Sequence, residues 1–416
     1  MRLLPRTLVV FCLICAGIGL ALSDNALSAR SRSEPRDVRA LWVTRSTLAT
    51  PAGIAQMVRA AQDGGFNTLL VQVRGRGDAY YRSRFEPRAA EIERLPDFDP
   101  LAETIARAHQ AGLAVHAWVA VNLVSSAVDL PRAKQHIIYR QSDWLMVPRD
   151  LAADLLNVDP RSPEYVGKLA RWTRAHANEV EGLYASPIHP WAVTHLTAVI
   201  DDLVTNYDLD GVHLDYVRYP GEDFDYSRAA LQQFKVAIRP QLSDEERRRA
   251  DGQERVDALA YPSMFRERWR SFRESRLTTL VMCVRTAIKA VKPELVLSAA
   301  VLPDDVHAKE SRLQDWRLWL DQSLLDVLCP MAYTQDVDAF TGQIRTAQDF
   351  AGDVPVWAGV GAYRLSSAAT LAHIAAARQL KTAGIILFSY DSLITPPNST
   401  TSLAELGRAA FGAGSR

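Results

Sequence analysis

The chain has 416 residues, 48% hydrophobic and 23% charged, and its 48 basic and 48 acidic side chains leave no formal net charge. That balance can bury a large core and suits one large α/β barrel or two ordinary domains. It lacks the Lys/Arg excess of a nucleic-acid binder or a basic membrane-surface protein.

Arg2 and Arg6 precede an apolar run from Leu8 to Leu22, which ends in Ala21-Leu22-Ser23. This pattern reads as a secretory signal over residues 1–23, followed by a polar linker over 24–37. A retained membrane anchor is the alternative, but the run is short for a span. Export and cleavage predict a secreted or periplasmic protein with no stable membrane partner. Cys12 and Cys15 leave with the signal. Cys283 and Cys329 both sit in apolar runs and read as buried thiols rather than as a disulfide. The mature chain has no Cys-x-x-Cys or His-x-x-x-His spacing, so neither a metal nor another cofactor is expected.

From residue 38 onward, short β-rich runs alternate with amphipathic segments. Strands are predicted near 39–46, 68–74, 114–122, 211–219, 295–303, 326–333, 354–361 and 384–390. Helices are predicted over 51–63, 100–110, 191–206, 266–292, 315–320, 340–350 and 368–381. Thr50-Pro51 and Asp99-Pro100 supply an N-cap followed by Pro in the first turn, and Gly64-Gly65 and Gly112 supply the stops. Eight strand–helix units predict an α/β fold, a (β/α)₈ TIM barrel over residues 38–412. An open dinucleotide-binding sheet is the rival, but Tyr80 stands where its third glycine belongs after Gly75-Arg76-Gly77. Two long insertions follow strands three and four, over 123–190 and 220–264. The second carries Asp244-Glu245-Glu246-Arg247-Arg248-Arg249, which reads as a solvated helix face.

Barrel chemistry sits at the C-terminal ends of strands, on inward-facing residues. His213 and Asp215 are two apart on the fourth strand and share a face. An inward carboxylate is costly unless it is paired or functional. It could be a structural Asp paired to Arg74 or Arg218, or a catalytic one. Glycosidic cleavage needs two carboxyl groups, and strand ends also offer Asp78, Asp304, Asp305, Asp336 and Asp391. Asp304 or Asp305 is the leading partner for Asp215. Gln72, Arg74, Asp78, His116, Trp118, His213, Arg218, Tyr333, Trp357 and Tyr390 supply the polar and aromatic groups a sugar would meet, although some must be core packing.

Four stretches carry a family resemblance: Arg39-Ala40-Leu41-Trp42, the run from Asn67 to Ser83, the run from Asp99 to Trp118, and Tyr207 through Tyr216 with Arg218-Tyr219-Pro220. In these the chain resembles the glycosyl hydrolase-like 10 family of secreted barrel proteins. The resemblance implies cleavage of a glycan, peptidoglycan strands among the candidates, and puts the weight on Asp215; the strand-end reading above adds the roles, Asp215 as nucleophile or base and Asp304 or Asp305 as proton donor. Where many members carry two consecutive Asp residues, this chain has Asp215-Tyr216. The rival expectations are a saccharide-binding barrel without catalysis and a metal-dependent glycan deacetylase.

Overall fold

A computed structural model describes residues 37–395 and 400–412. The expected signal, its anchor alternative, Cys12 and Cys15 lie outside the described residues. Eight parallel strands close in sequential order: β1 Val38–Val43, β2 Thr68–Arg74, β3 Ala114–Ala120, β4 Gly211–Asp215, β5 Val296–Val301, β6 Val327–Ala332, β7 Trp357–Val360 and β8 Gly384–Phe388. The (β/α)₈ barrel is therefore the fold, with long insertions after β3 and β4.

Helix limits follow local chemistry. The Thr50 side chain accepts from Gly53 N and the Asp99 side chain from Ala102 N, so Pro51–Asp63 and Pro100–Gln110 begin where their caps place them. Strand ends follow the ladder instead. Only β2 fills its whole predicted run. β4 stops at Asp215, four residues short of the apolar run that predicted it, because Val217 and Tyr219 are buried outside the sheet, Tyr219 bonding to the Arg273 and Arg312 carbonyls of outer helices. The insertions are largely helical, with Arg149–Leu156 and Pro163–Ala175 in the first and Arg228–Ile238 and Asp244–Glu254 in the second. Ser243 and Glu246 form a capping box at the start of Asp244–Glu254, whose charged residues are mostly solvated. Among the described residues no helix is long and apolar enough to cross a membrane.

Register decides which residues enter the barrel. His116 lies opposite Gly211, Trp118 opposite His213 and Ala120 opposite Asp215. Gly211 leaves room for the His116 ring, which a Cβ there would strike. Alternate residues thus point inward from the closed end at Gly211 to the mouth at Asp215, and Val38, Ala40, Trp42, Leu70, Trp118, Cys329, Trp357 and Ile386 form the interior cluster. Cys283 lies on the outer helix Arg266–Val291, and no bond joins it to Cys329.

One buried ion pair ties the loop after β2 to the barrel. Arg74, 1% exposed, donates from Nε to both oxygens of Glu86 at 2.9 and 2.8 Å, and from Nη2 at 2.6 Å. Its Nη1 donates to the carbonyls of Ala120 and Val121. His195 Nε2, on the helix Pro190–Asn206, lies 3.5 Å from Glu86. Burial alone would raise the Glu86 carboxyl, but Arg74 and His195 outweigh it and hold it at about 2.

Candidate active site

The segment Asp210-Gly211-Val212-His213-Leu214-Asp215 divides by depth. Asp210, at the closed end, accepts from His109 Nε2 and Val115 N, both at 2.8 Å, and fixes the entry to β4. Asp215, at the mouth, is 7% exposed. Its Oδ2 accepts from Trp118 Nε1 at 3.0 Å and its Oδ1 from the backbone N–H of Tyr216 at 2.7 Å. Tyr216 stands at φ +50°, in the left-handed region that side chains seldom occupy. That turn folds its N–H back onto the carboxylate, which is local strain held in place at the candidate site.

Burial raises the Asp215 carboxyl above its ordinary range. Arg218, the Tyr216 N–H and Trp118 pull it down without cancelling the effect, and Glu181 adds to the rise. Glu181 shifts the other way. Burial would raise it, but Arg218 and the Tyr184 hydroxyl outweigh burial and hold it below the usual carboxylate range. Arg218 Nη2 donates to Glu181 Oε1 at 3.0 Å, and Tyr184 donates to Oε2 at 2.7 Å. The Arg218 guanidinium also lies 4.5 Å from the centre of the Tyr216 ring. Its Nε and Nη1 are buried without hydrogen-bond partners.

Glu181 is the functional candidate that sequence reasoning missed. It lies in the first insertion, far from any barrel strand in sequence. Antiparallel pairing brings it to the mouth: Leu123 bridges Tyr184, Val124 N donates to Leu183 O, and Ala127 N donates to Glu181 O. The only sequence signal was the length of that insertion.

An aromatic wall faces the carboxyl. Tyr333 and Phe388 stack at 5.5 Å and 22°, Trp42 meets their edges at 6.2 and 6.0 Å, and Tyr363 closes the rim. Burial raises the Tyr333 hydroxyl, and the Asp215 charge raises it further, so the two face one another. Trp42, Phe388 and Tyr363 join Tyr333 and Trp118, which were expected here.

Other expected residues lie elsewhere or are already engaged. Arg74 is committed to Glu86 and to backbone carbonyls, so it cannot also orient sugar hydroxyls. Asp304 caps the helix Asp305–Arg312 through the N–H of His307 at 2.7 Å, and Asp305 pairs with Arg317 at 2.9 Å. Asp304 lines a cavity of about 1080 Å³ with Trp172, Glu179 and Asp223, and Asp215 is not among its lining residues. Asp304 and Asp305 are thus engaged in starting and pairing a helix after β5. Trp357 and His116 pack together at 5.5 Å deep in the barrel, and Tyr390 is buried outside it in the layer under the helices. Asp78 Oδ1 accepts from Arg76 N at 2.9 Å, holding its own loop. Gln72 is 8% exposed, and its Oε1 lies 3.5 Å from Arg45 N. Asp336 caps the helix Val337–Ala351. Asp391 accepts from Thr44 N, Ser46 Oγ and Thr47 Oγ1, which fixes the loop after β1. Among the described residues no three His, Cys, Asp or Glu side chains are grouped to hold a metal.

His213 is also corrected, from a sugar ligand to a core residue. It is fully buried. Trp42 Nε1 donates to its Nε2 at 3.0 Å, which leaves the proton on Nδ1 for Ser298 Oγ at 2.9 Å. Burial and the neighbouring His116 depress it to about 3, so the neutral ring spans β1, β4 and β5. A folded pKa below the unfolded value of about 6.5 gives stability that is present above pH 6.5 and lost as pH falls toward 3. The expected loss is about 1.4 kcal/mol per pH unit in that window. Urea midpoints measured at pH 7 and pH 5 should fall further for wild type than for His213→Gln; equal falls would reject the assignment.

The family model for glycosyl hydrolase-like 10 matches residues 37–370. The chain belongs to the glycosyl hydrolase-like 10 family. It is 22% identical to glycosyl hydrolase YngK of Bacillus subtilis (strain 168) over 369 residues, covering 80% of this chain and 61% of that protein. It is 24% identical to glycosyl hydrolase DigH of Escherichia coli (strain K12) over 300 residues, covering 65% of this chain and 55% of that one. The chain thus spans less than two thirds of the length of these relatives. Among solved structures, the glycoside hydrolase domain of PgaB (BpsB) from Bordetella bronchiseptica superposes with TM-score 0.61 at 14% identity, covering 89% of this chain and 98% of that domain. The catalytic domain of β-amylase from Paenibacillus polymyxa gives 0.58 at 10%, covering 92% and 99%. At such identities these two share the fold with this family member.

Proposed function

We propose that this protein hydrolyses glycosidic bonds in an extracytoplasmic polysaccharide, with the glycan strands of peptidoglycan as the first substrate to test. The observation that carries the reading is the pair Asp215 and Glu181, held around Arg218 with their proton affinities pushed apart. Two carboxyl groups with opposed shifts are what acid–base cleavage of a glycosidic bond requires. Asp215, the one that burial raises, serves as the donor to the leaving oxygen. Glu181, the lowered one, stays ionised and serves as base or nucleophile. This replaces Asp304 or Asp305 as donor and exchanges the role first expected of Asp215. The wall of Trp42, Tyr333, Phe388 and Tyr363 offers apolar faces to sugar C–H surfaces. The chemistry runs on carboxyl groups and water. The extracytoplasmic assignment rests on the signal-like residues 1–23, and the domain limits of 38–412 belong to the same proposal.

The test is a glycan panel that includes peptide-free peptidoglycan strands, read as new reducing ends for wild type, Asp215→Asn and Glu181→Gln. Cleavage of at least one glycan by wild type alone is the expected result. Equal release by wild type and Asp215→Asn would remove Asp215 from the mechanism. Tight binding without release in any arm would favour a saccharide-binding barrel instead.

A further inference from the structure

We propose that Arg45 and Arg76 form an anion-binding subsite beside Asp215, which receives the carboxylate of an acidic sugar residue in the glycan. The inference rests on the glycan reading above and adds a charge requirement to it.

Arg45 follows β1 and Arg76 follows β2, so both rise from the C-terminal face of the barrel. The Arg45 side chain lies flat against Gly75. A Cβ at Gly75 would come within 2.5 Å of Arg45 Nη1 and 2.7 Å of its Cδ. The Arg45 side chain therefore lies next to the backbone that carries Arg76. The Arg76 loop is pinned on both sides, by His136 Nε2 donating to Arg76 O at 2.8 Å and by Arg76 N donating to Asp78 Oδ1 at 2.9 Å. Asp391 fixes the Arg45 loop from below. The backbone that carries each arginine is therefore fixed.

Their charges are not spent on the protein. Among the described residues neither guanidinium is in an ion pair, whereas those of Arg39, Arg74, Arg82, Arg84 and Arg218 are. Burial and Arg45 both lower Arg76, and Tyr216, Asp78 and Asp129 oppose them only in part. Holding two like charges together costs free energy that a bound anion would recover. Tyr216 connects the corner to the chemistry, since it follows Asp215 directly and feels both Arg218 and Arg76. Arg218, over that ring at 4.5 Å, adds two buried, unpartnered nitrogens. Planar guanidinium groups suit a carboxylate, which can accept two parallel N–H bonds.

The carboxylate could belong to a uronic acid or to a lactyl ether on an amino sugar. Calorimetric titration of Asp215→Asn with three probes separates these: oligogalacturonate, peptide-free muramyl glycan strands and chitooligosaccharide of matched length. Binding of one acidic probe at least tenfold tighter than chitooligosaccharide is expected, and that probe names the source. The advantage should collapse at least tenfold on adding Arg45→Gln and Arg76→Gln, and weaken with rising salt. Arg45→Lys with Arg76→Lys should retain part of it, and an unchanged Tm for each variant shows that the fold persists. Equal affinity for all three probes, or an acidic preference that survives the glutamine pair, overturns the arginine subsite while leaving the glycan reading standing. Absence of binding to every probe overturns both.

Discussion

Asp215→Asn is expected to lower kcat by roughly 10²- to 10⁴-fold, the range for loss of a positioned acid or base. KM should change little, because the carboxyl acts in the transition state rather than in holding the sugar. The fold should survive the change. Asparagine keeps an oxygen for Trp118 Nε1 or for the Tyr216 N–H, and it removes a carboxylate that burial disfavours. The pH profile supplies the sign. A donor with a raised pKa loses its proton, and hence activity, as pH climbs through that value. A base with a lowered pKa loses activity as pH falls through its own. Wild type should therefore show a bell with its plateau between the two. Glu181→Gln should lose the acid limb, and Asp215→Asn the alkaline limb of whatever rate remains. Identical profiles for wild type and both variants would refute the assignment of roles.

Arg74→Met is expected to cost about 3–5 kcal/mol, as when one partner of a buried ion pair is removed. Glu86 would be left enclosed, with His195 Nε2 at 3.5 Å. The carbonyls of Ala120, at the end of β3, and of Val121 would also lose a donor. The double change Arg74→Met with Glu86→Leu should recover most of the loss, since no charge then remains to be desolvated. Urea denaturation monitored by circular dichroism reads both, and a single variant as stable as wild type would contradict the reading of the pair. Acid titration gives an independent estimate. The Glu86 carboxyl stands at about 2 in the fold against a reference of 4.5. Its contribution is present above pH 4.5 and lost as pH falls toward 2, amounting to roughly 3 kcal/mol. Arg74 therefore serves the fold, and its loss would reduce activity by unfolding the mouth rather than by loosening substrate.

The barrel was legible because its signals are local. Thr50-Pro51 and Asp99-Pro100 cap helices through atoms three residues away, and Gly64-Gly65 ends one within a turn. The alternation of β-rich runs with amphipathic segments implies parallel strands, whatever lies between them. Strand ends were less legible, as at Val217 and Tyr219, because hydrophobicity reports burial and not whether the partner is a strand.

The site was half legible for the same reason. Period-two alternation within β4 put His213 and Asp215 on one inward face, and the structure bears this out. It could not say how deep each sits, since depth depends on the register between β3, β4 and β5. That register puts His213 between Trp42 and Ser298 inside the barrel and leaves Asp215 at the rim. Sequence reasoning sought a second carboxyl at strand ends, whereas Glu181 reaches the mouth through pairing of 123–127 with 181–185. Sequence alone determined the (β/α)₈ fold, the two insertions and Asp215 as the residue to examine. Tertiary structure decided which charges are already paired. A side chain's availability depends on what the rest of the chain brings within hydrogen-bond range, and that distance is set by closure of the barrel rather than by spacing along the sequence.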